Sequence, residues 1–317
     1  MDTILPYYPY SKYLKSKYGE KVYKLPVNLP VSCPNRKEGQ GCAYCSGLGT
    51  GFEAMDCMKS VSEQLEQTRA HIEDRYHAHK FIAYFQNYTN TYLPLDEFAS
   101  YMEEAAKFPY IVELAVSTRP DCISREYLDV LKGLGRQYGR AVVIELGLQT
   151  VNYHTLCQMN RGHTLAEFID AVLMVHNYGF ELCAHVILNL PGDQLLDVIE
   201  TAKVLSSLNI QTVKAHSLYI AKDSPLCEAY EKGSIGLCTK EEYLERLAVF
   251  LEYLDPDIAV ERLFSRVPEK DSVFCNWGFS WWKLRDELLE LMKAKQSYQG
   301  KRFQYLGGSA LRRAGLL

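Results

Sequence analysis

The stretch "CPNRKEGQGCAYC", residues 33–45, places Cys33, Cys42 and Cys45 within thirteen positions, and the glycine-rich "SGLGTGFE" follows it. Cys42 and Cys45 have the C-x2-C spacing that lets two thiolates reach one centre. A structural zinc ion normally fills four corners with protein ligands. Three thiols therefore leave three readings open. Cys57, twelve residues on, completes a four-thiolate zinc site, or the three hold an iron–sulfur cluster with one iron free to bind something else. Unliganded cysteines are a third reading, but a Pro/Gly loop is a poor place for core packing. Glycines 47, 49 and 51 would let backbone approach a bound ligand closely.

Working outward, the loop follows the apolar run "KVYKLPVN" (21–28), the first of six such runs. The others are "KFIAYFQ" (80–86), "IVELAVST" (111–118), "AVVIELGLQ" (141–149), "ELCAHVILNL" (181–190) and "TVKAHSLYI" (212–220). Their Val, Ile, Leu and aromatic content is that of strands buried on both faces. Helical patterns separate them, including "SVSEQLEQTRAHIEDRY", "LDEFASYMEEAAKF", "REYLDVLKGL", "LAEFIDAVLMVHNYG" and "DQLLDVIETAKVLSSL". This alternation predicts a parallel sheet with right-handed crossovers. The cysteine loop then lies at the carboxyl ends of the strands, where α/β barrels bind ligands. Beyond residue 222 the pattern changes to a helix starting near Thr239, a short strand "DIAVERLF" and a helix "SWWKLRDELLELMKAK". The expected organisation is an N-terminal segment over 1–20, a core over 21–222 and an α/β extension over 223–317, in one compact body.

Apolar residues make up 47% of the 317, enough for a large core. No signal peptide is read at the start, and no stretch approaches the roughly 20 apolar residues of a spanning helix. Ten cysteines in such a chain predict a reducing cytoplasm, with metal binding, redox chemistry or packing rather than disulfides. The net charge of −4 conceals an asymmetry: residues 1–24 carry +3 and residues 291–317 carry +6. Both ends are rich in tyrosine, so a phosphate backbone held by lysines with bases stacked on rings is one expectation. Solvated lysines on surface segments are the plainer one.

With these motifs in view, the chain resembles the radical S-adenosylmethionine (SAM) superfamily, and closely its YhcC-like family. "CPNR", "GCAYC", "YFQNYTNTY", "STRPDCI", "ELGLQT", "NRGH", "LNLPGD", "KAHSLYIAKDSPL", "ERLF" and a late "QG" carry the resemblance over nearly the whole chain. The C-x8-C-x2-C spacing is the longer form typical of that family, where most of the superfamily has C-x3-C-x2-C. The Elongator catalytic subunit and the oxygen-independent coproporphyrinogen oxidase are more distant likenesses. The resemblance implies a partial (βα)6 TIM-like barrel of α/β class and a 4Fe–4S cluster on Cys33, Cys42 and Cys45. It also implies SAM chelated to the free iron and cleaved reductively to a 5′-deoxyadenosyl radical. The protein would set potential, orientation and water exclusion around that chemistry.

For SAM contacts, the resemblance suggests Gln86 and Asn87, which stand where related chains have "GGE". It also suggests Ser117, Gln149, Arg161 and Tyr44. Arg161 as a surface ion pair, Gln149 as a strand cap and Tyr44 as a structural ring are the plainer alternatives. His185 and His216 either face the barrel interior or sit satisfied in the core. Trp277, Trp281 and Trp282 are read as helix packing before base stacking. The remaining cysteines show no spacing for a second cluster.

The expected function is a cytoplasmic radical SAM enzyme modifying a wobble uridine of tRNA, reduced by a donor such as flavodoxin or ferredoxin. The rivals are a radical SAM enzyme on a small metabolite or porphyrin-like molecule, and a non-enzymatic zinc-binding module.

Overall fold

The computed structural model describes residues 5–39, 41–46 and 55–316. Glycines 47, 49 and 51, expected to approach a ligand, lie outside the described residues. Seven strands form one parallel sheet in the order β1-β2-β3-β4-β5-β6-β8. They are β1 (Val22–Val27), β2 (Lys80–Phe85), β3 (Ile111–Thr118), β4 (Ala141–Gln149), β5 (Glu181–Ile187), β6 (Thr212–His216) and β8 (Ala259–Arg262). A short β7 (Tyr219–Ala221) pairs antiparallel with β9 (Ser272–Cys275) over the carboxyl end of β6.

The helices are α1 (Tyr10–Tyr18), α2 (Pro34–Lys37), α3 (Val61–Tyr76), α4 (Leu95–Ala106), α5 (Arg125–Tyr138), α6 (Tyr153–Gln158), α7 (Leu165–Asn177), α8 (Leu195–Ser207), α9 (Pro225–Glu231), α10 (Lys240–Tyr253), α11 (Trp281–Ala294) and α12 (Ser309–Arg313). Sequential strand order with crossovers of one hand places the connecting helices on one face and curls the sheet. Several starts are fixed by sequence: Ser60, Thr164 and Thr239 each form a capping box with the Glu three residues on.

The two faces of the sheet have different chemistry. Toward the helices, β4 sends Val142, Ile144, Leu146 and Leu148 into the main apolar core. Toward the concave side it sends Val143, then Glu145, then Gly147. Period two thus converts a run that reads as uniformly apolar into one oily face and one functional face.

The concave side is layered. Val22, Ile82, Ala115, Val143 and Cys183 form its apolar base, and Leu14 of α1 plugs it. Below that base, the Tyr13 hydroxyl and the Lys17 ammonium donate to Glu181 at 2.7 and 2.6 Å, and Tyr18 donates to Glu113 at 2.5 Å. Above it lies the charged layer described in the next subsection.

Two features depart from the sequence expectation. First, the extension is not appended beside six strands, because its "AVER" becomes the seventh strand against β6. The strand is four residues long, too short for its sequence to declare its neighbour, and β6 supplies the pairing. Second, the basic ends do not frame the ligand side. The segment before α1 pairs with the β8 edge through Tyr8 and Pro9. Gln299, in the basic C-terminal stretch, donates to the Ile258 carbonyl at the start of β8 and accepts from the Tyr8 amide. Arg302 pairs with buried Glu252 at 2.7 Å. These stretches meet at the amino ends of the strands, opposite the cysteine loop. They cover the open β8 edge, which would otherwise be a pairing hazard.

No helix among the described residues is long and apolar enough to cross a membrane.

Candidate active site

At the carboxyl ends of the strands, the concave face opens into a cavity enclosing about 1260 Å³ of empty space, part of it open to solvent. The cysteine loop forms one wall. Pro34 opens α2 directly after Cys33, so the first thiol sits at a helix start. Three sequence motifs dock on one another here. Asn35 of "CPNR" donates to the carbonyls of Asn160 and Arg161 at 2.8 and 2.9 Å, and approaches the Cys42 sulfur at 3.6 Å. Asn160 of "NRGH" donates back to the Gly41 carbonyl at 2.8 Å. The Ala43 amide donates to the Met159 carbonyl at 2.9 Å. The connection between α6 and α7, which follows β4, is therefore the clamp of the cysteine loop.

Gly162 is part of that clamp. Its φ is +74°, and a Cβ there would lie 2.5 Å from Asn35 Oδ1 and 3.0 Å from Arg119 Nη2. Only glycine fits that backbone and that gap.

Cations surround the sulfurs. Arg161 reaches Cys42 Sγ at 3.7 Å, and Arg119 reaches Cys33 Sγ at 3.9 Å. Arg36 donates to the Cys45 carbonyl at 3.1 Å. Arg161 is buried, donates to the Gly147 carbonyl at 3.1 Å, and places Nε against His163 Nε2 at 2.8 Å. Burial and the neighbouring Arg161 guanidinium hold His163 down at about 3, so it stays a neutral acceptor. Burial and the Cys42 thiol raise Cys45, while Arg36 opposes them.

The donor set distinguishes the metal readings. A tetrahedral ion with Zn–S bonds of about 2.3 Å would bring its sulfurs within about 4 Å of one another. Among the described residues, the only three His, Cys, Asp or Glu ligand atoms lying mutually within 4.8 Å belong to Glu145, Cys183 and His185. Neither the cysteine trio nor any set with Cys57 closes that far. Three thiols inside a ring of arginines suit an anionic cluster. Glu145 is engaged by two lysines and offers no vacancy for a cation.

The cavity floor is the charged layer. Glu145 accepts from Lys24 and Lys214, each at 2.7 Å, from His185 at 2.7 Å and from Ser117 at 3.2 Å. Lys214 also donates to the Tyr84 hydroxyl at 2.8 Å and pairs with Glu261 at 3.2 Å. Burial alone would raise Glu145, yet Lys214 and Lys24 outweigh it and hold the carboxyl well below its ordinary range. Burial and Lys214 together lower His185, which is therefore neutral at pH 7. Its ring stacks on His216 with centroids 5.6 Å apart.

Of the residues singled out from sequence, Cys33, Cys42, Cys45, Tyr44, Gln86, Ser117, Gln149 and Arg161 all line this cavity. Gln149 does so through a bulge at the end of β4 and a positive φ of 72°. Asn87 stands apart: it is buried and donates to Asn28 Oδ1 at 3.0 Å, outside the lining. His185 and His216 both face the cavity. Trp277 packs on Tyr243 and donates to the Cys238 carbonyl at 2.9 Å. Arg36, Tyr84, Arg119, Glu145, Lys214 and Arg262 line the cavity without having been anticipated. A lone charge inside an otherwise apolar strand ("VVIELGL", "TVKAHS") was the available signal.

A seven-stranded parallel half-barrel with cysteines on its first loop and a deep cavity at its carboxyl end defines a class, and comparison with known proteins places the chain in it. The model of the radical SAM superfamily matches residues 27–205, and that of the radical SAM C-terminal domain matches residues 210–294. The chain belongs to the radical SAM superfamily, whose members use a 4Fe–4S cluster and SAM. It is 33% identical over 297 residues to a protein of Methanocaldococcus jannaschii, covering 93% of this chain and 91% of that one. It is 33% identical over 254 residues to protein YhcC of Escherichia coli K12, covering 79% and 80%. A tRNA uridine(34) acetyltransferase of M. jannaschii is 24% identical over 178 residues, 54% of this chain and 32% of that one. Among solved structures, the archaeal Elp3 of Methanocaldococcus infernus shares the fold with a TM-score of 0.68 at 17% identity, over 88% of this chain and 64% of that one.

Proposed function

We propose that Cys33, Cys42 and Cys45 hold the 4Fe–4S cluster, and that the cavity beside them is where SAM and a substrate meet. The observation that carries this reading is the set of three thiols ringed by arginine and asparagine donors at the mouth of the barrel. When bound, the cluster and SAM supply a 5′-deoxyadenosyl radical by one-electron reduction, and that radical abstracts a substrate hydrogen. Arg161, Arg119 and Asn35 offset negative charge on the sulfurs. Gln86, Ser117 and Gln149, at strand ends, offer polar partners to SAM, and Tyr44 offers a ring face. The plugged and charge-paired floor keeps water from entering from below.

For the substrate we favour a uridine of tRNA, because the chain is similar to a tRNA uridine(34) acetyltransferase over 54% of its length. One observation favours the second reading, a small metabolite: the basic ends lie at the far end of the barrel and do not border the cavity.

The test is anaerobic reconstitution with iron and sulfide, then SAM and dithionite, with 5′-deoxyadenosine measured for wild type beside Cys42→Ala. Product from wild type alone supports the radical reading. Absence of product with zinc bound overturns it. Bulk tRNA added next should gain a modified uridine, and unmodified tRNA would move the substrate to the second reading.

A further inference from the structure

β8 joins β6 with an irregular register: Val213 faces Val260, but Lys214 faces Arg262. One extra residue, Glu261, is accommodated there. A bulge of this kind re-aims a side chain, and here two successive residues both serve the concave side. Glu261 turns to Lys24 at 2.8 Å, and Arg262 lines the cavity.

Arg262 differs from the other cations of the wall. Arg119 is paired with Asp121 at 2.6 Å, and Arg161 is held by Gly147, His163 and Cys42. Lys214 is held by Glu145 and Glu261, Arg36 by main-chain carbonyls, and Arg266 lies 4.1 Å over the Trp281 ring. The half-buried Arg262 side chain makes no hydrogen bond or ion pair with any described residue. His216, which feels the Arg262 charge and is held neutral chiefly by burial, shares the lining with it, and His185 stacks on the His216 ring. The one carboxylate among the described residues of the lining, Glu145, is already engaged by two lysines and a histidine.

We propose that Arg262, with His216 beside it, is the substrate subsite for an oxyanion, a phosphate or a carboxylate of the molecule that enters the cavity. A guanidinium presents paired N–H donors suited to either group, and no described residue takes them up. An imidazole held neutral adds a hydrogen bond without adding charge. The subsite lies on the last strand of the sheet, away from Arg161 on the β4 loop. It therefore serves a group other than the one nearest the cysteines.

This inference rests on the radical SAM reading of the cavity, and its test reads binding rather than turnover. Iron-loaded protein saturated with SAM is titrated calorimetrically with uridine 5′-monophosphate, uridine and succinate, comparing wild type with Arg262→Gln and Arg262→Lys. Wild type should bind uridine 5′-monophosphate at least tenfold more tightly than uridine if the oxyanion is a phosphate, or succinate if it is a carboxylate. Arg262→Gln should lose tenfold or more of that binding, and Arg262→Lys should lose less. If the glutamine variant does not fold, displacement of the bound probe from wild type by inorganic phosphate decides the matter. Absence of oxyanion binding to wild type, equal binding by Arg262→Gln, or a loss of SAM affinity in its place would overturn the assignment. Formation of 5′-deoxyadenosine by wild type, measured separately, tells whether the underlying reading has failed instead.

Discussion

Lys24 on β1 and Glu261 on β8 meet at 2.8 Å, although their strands are the two edges of a seven-stranded sheet. The contact is made across the concave side, so it measures how far the sheet has curled. It also ties the N-terminal half of the chain to the C-terminal extension. With Glu145 and Lys214 it forms a neutral set of two cations and two anions beneath the cavity.

Breaking that set is expected to be costly. Lys24→Met leaves Glu145 and Glu261 sharing one lysine in a buried layer, and removal of one partner of a buried pair costs about 3–5 kcal/mol. Urea unfolding should show that loss. Lys12→Ala, on the exposed side of α1, should change stability by less than about 0.5 kcal/mol.

The same layer sets an acid limit. Glu145 titrates well below the usual carboxylate range in the folded protein, so the unfolded chain takes up protons first as pH falls. Its contribution is complete above about pH 4.5 and is lost progressively below it. Glu145→Gln should be less stable than wild type at pH 7, and the difference should shrink as the pH is lowered through that range. A difference independent of pH would contradict the charge assignment.

Asp193 in "LPGD" has the opposite sign. It is buried, its Oδ1 has no partner, and burial pushes the carboxyl up to about 6. A folded value above the unfolded one makes the ionised form the costly one. Asp193→Asn should therefore stabilise the protein by about 1–3 kcal/mol above pH 6 and lose that advantage near pH 4. Thermal midpoints of both proteins across this range test it.

The clamp on the cysteine loop gives a site-specific expectation. Gly162→Ala places a methyl 2.5 Å from Asn35 Oδ1 and must displace that side chain from Cys42. The backbone penalty is about 1 kcal/mol, so the fold should survive. Iron retained per chain after reconstitution should fall by half or more. Full retention would show that the Asn35 clamp does not position the thiols.

The basic N-terminal segment makes a negative prediction. Lys17 is bound to Glu113 and Glu181 at the base of the barrel, and a six-residue strand separates base from mouth by about 20 Å. Lys12→Gln combined with Lys15→Gln should leave tRNA affinity within twofold of wild type. A steep loss of salt-dependent affinity would return the tail to the nucleic-acid surface.

Much of this was legible in the chain. All six β-rich runs are strands, and the C-x8-C-x2-C loop does lie at the carboxyl end of β1. The capping Thr239 marks its helix as read. What escaped depends on partners distant in sequence. "DIAVERLF" does hold a strand as read, but its place as the seventh strand depends on the edge that β6 offers. The tyrosines of α1 read as a stacking surface, yet Tyr13 and Tyr18 find carboxylates 168 and 95 residues away. The charged floor was hidden because each strand contributes one charge, and only their convergence makes a site. Asn35 and Arg119 lay inside motifs already singled out, but their roles come from the β4 loop and Cys33 docking against them.

The most direct test of the account is the electron paramagnetic resonance spectrum of the reconstituted, dithionite-reduced protein with and without SAM. The account predicts a reduced 4Fe–4S signal that SAM perturbs, and its loss in Cys33→Ala, Cys42→Ala and Cys45→Ala alike. A signal indifferent to SAM, or one surviving loss of any of the three thiols, would contradict the assignment of Cys33, Cys42 and Cys45.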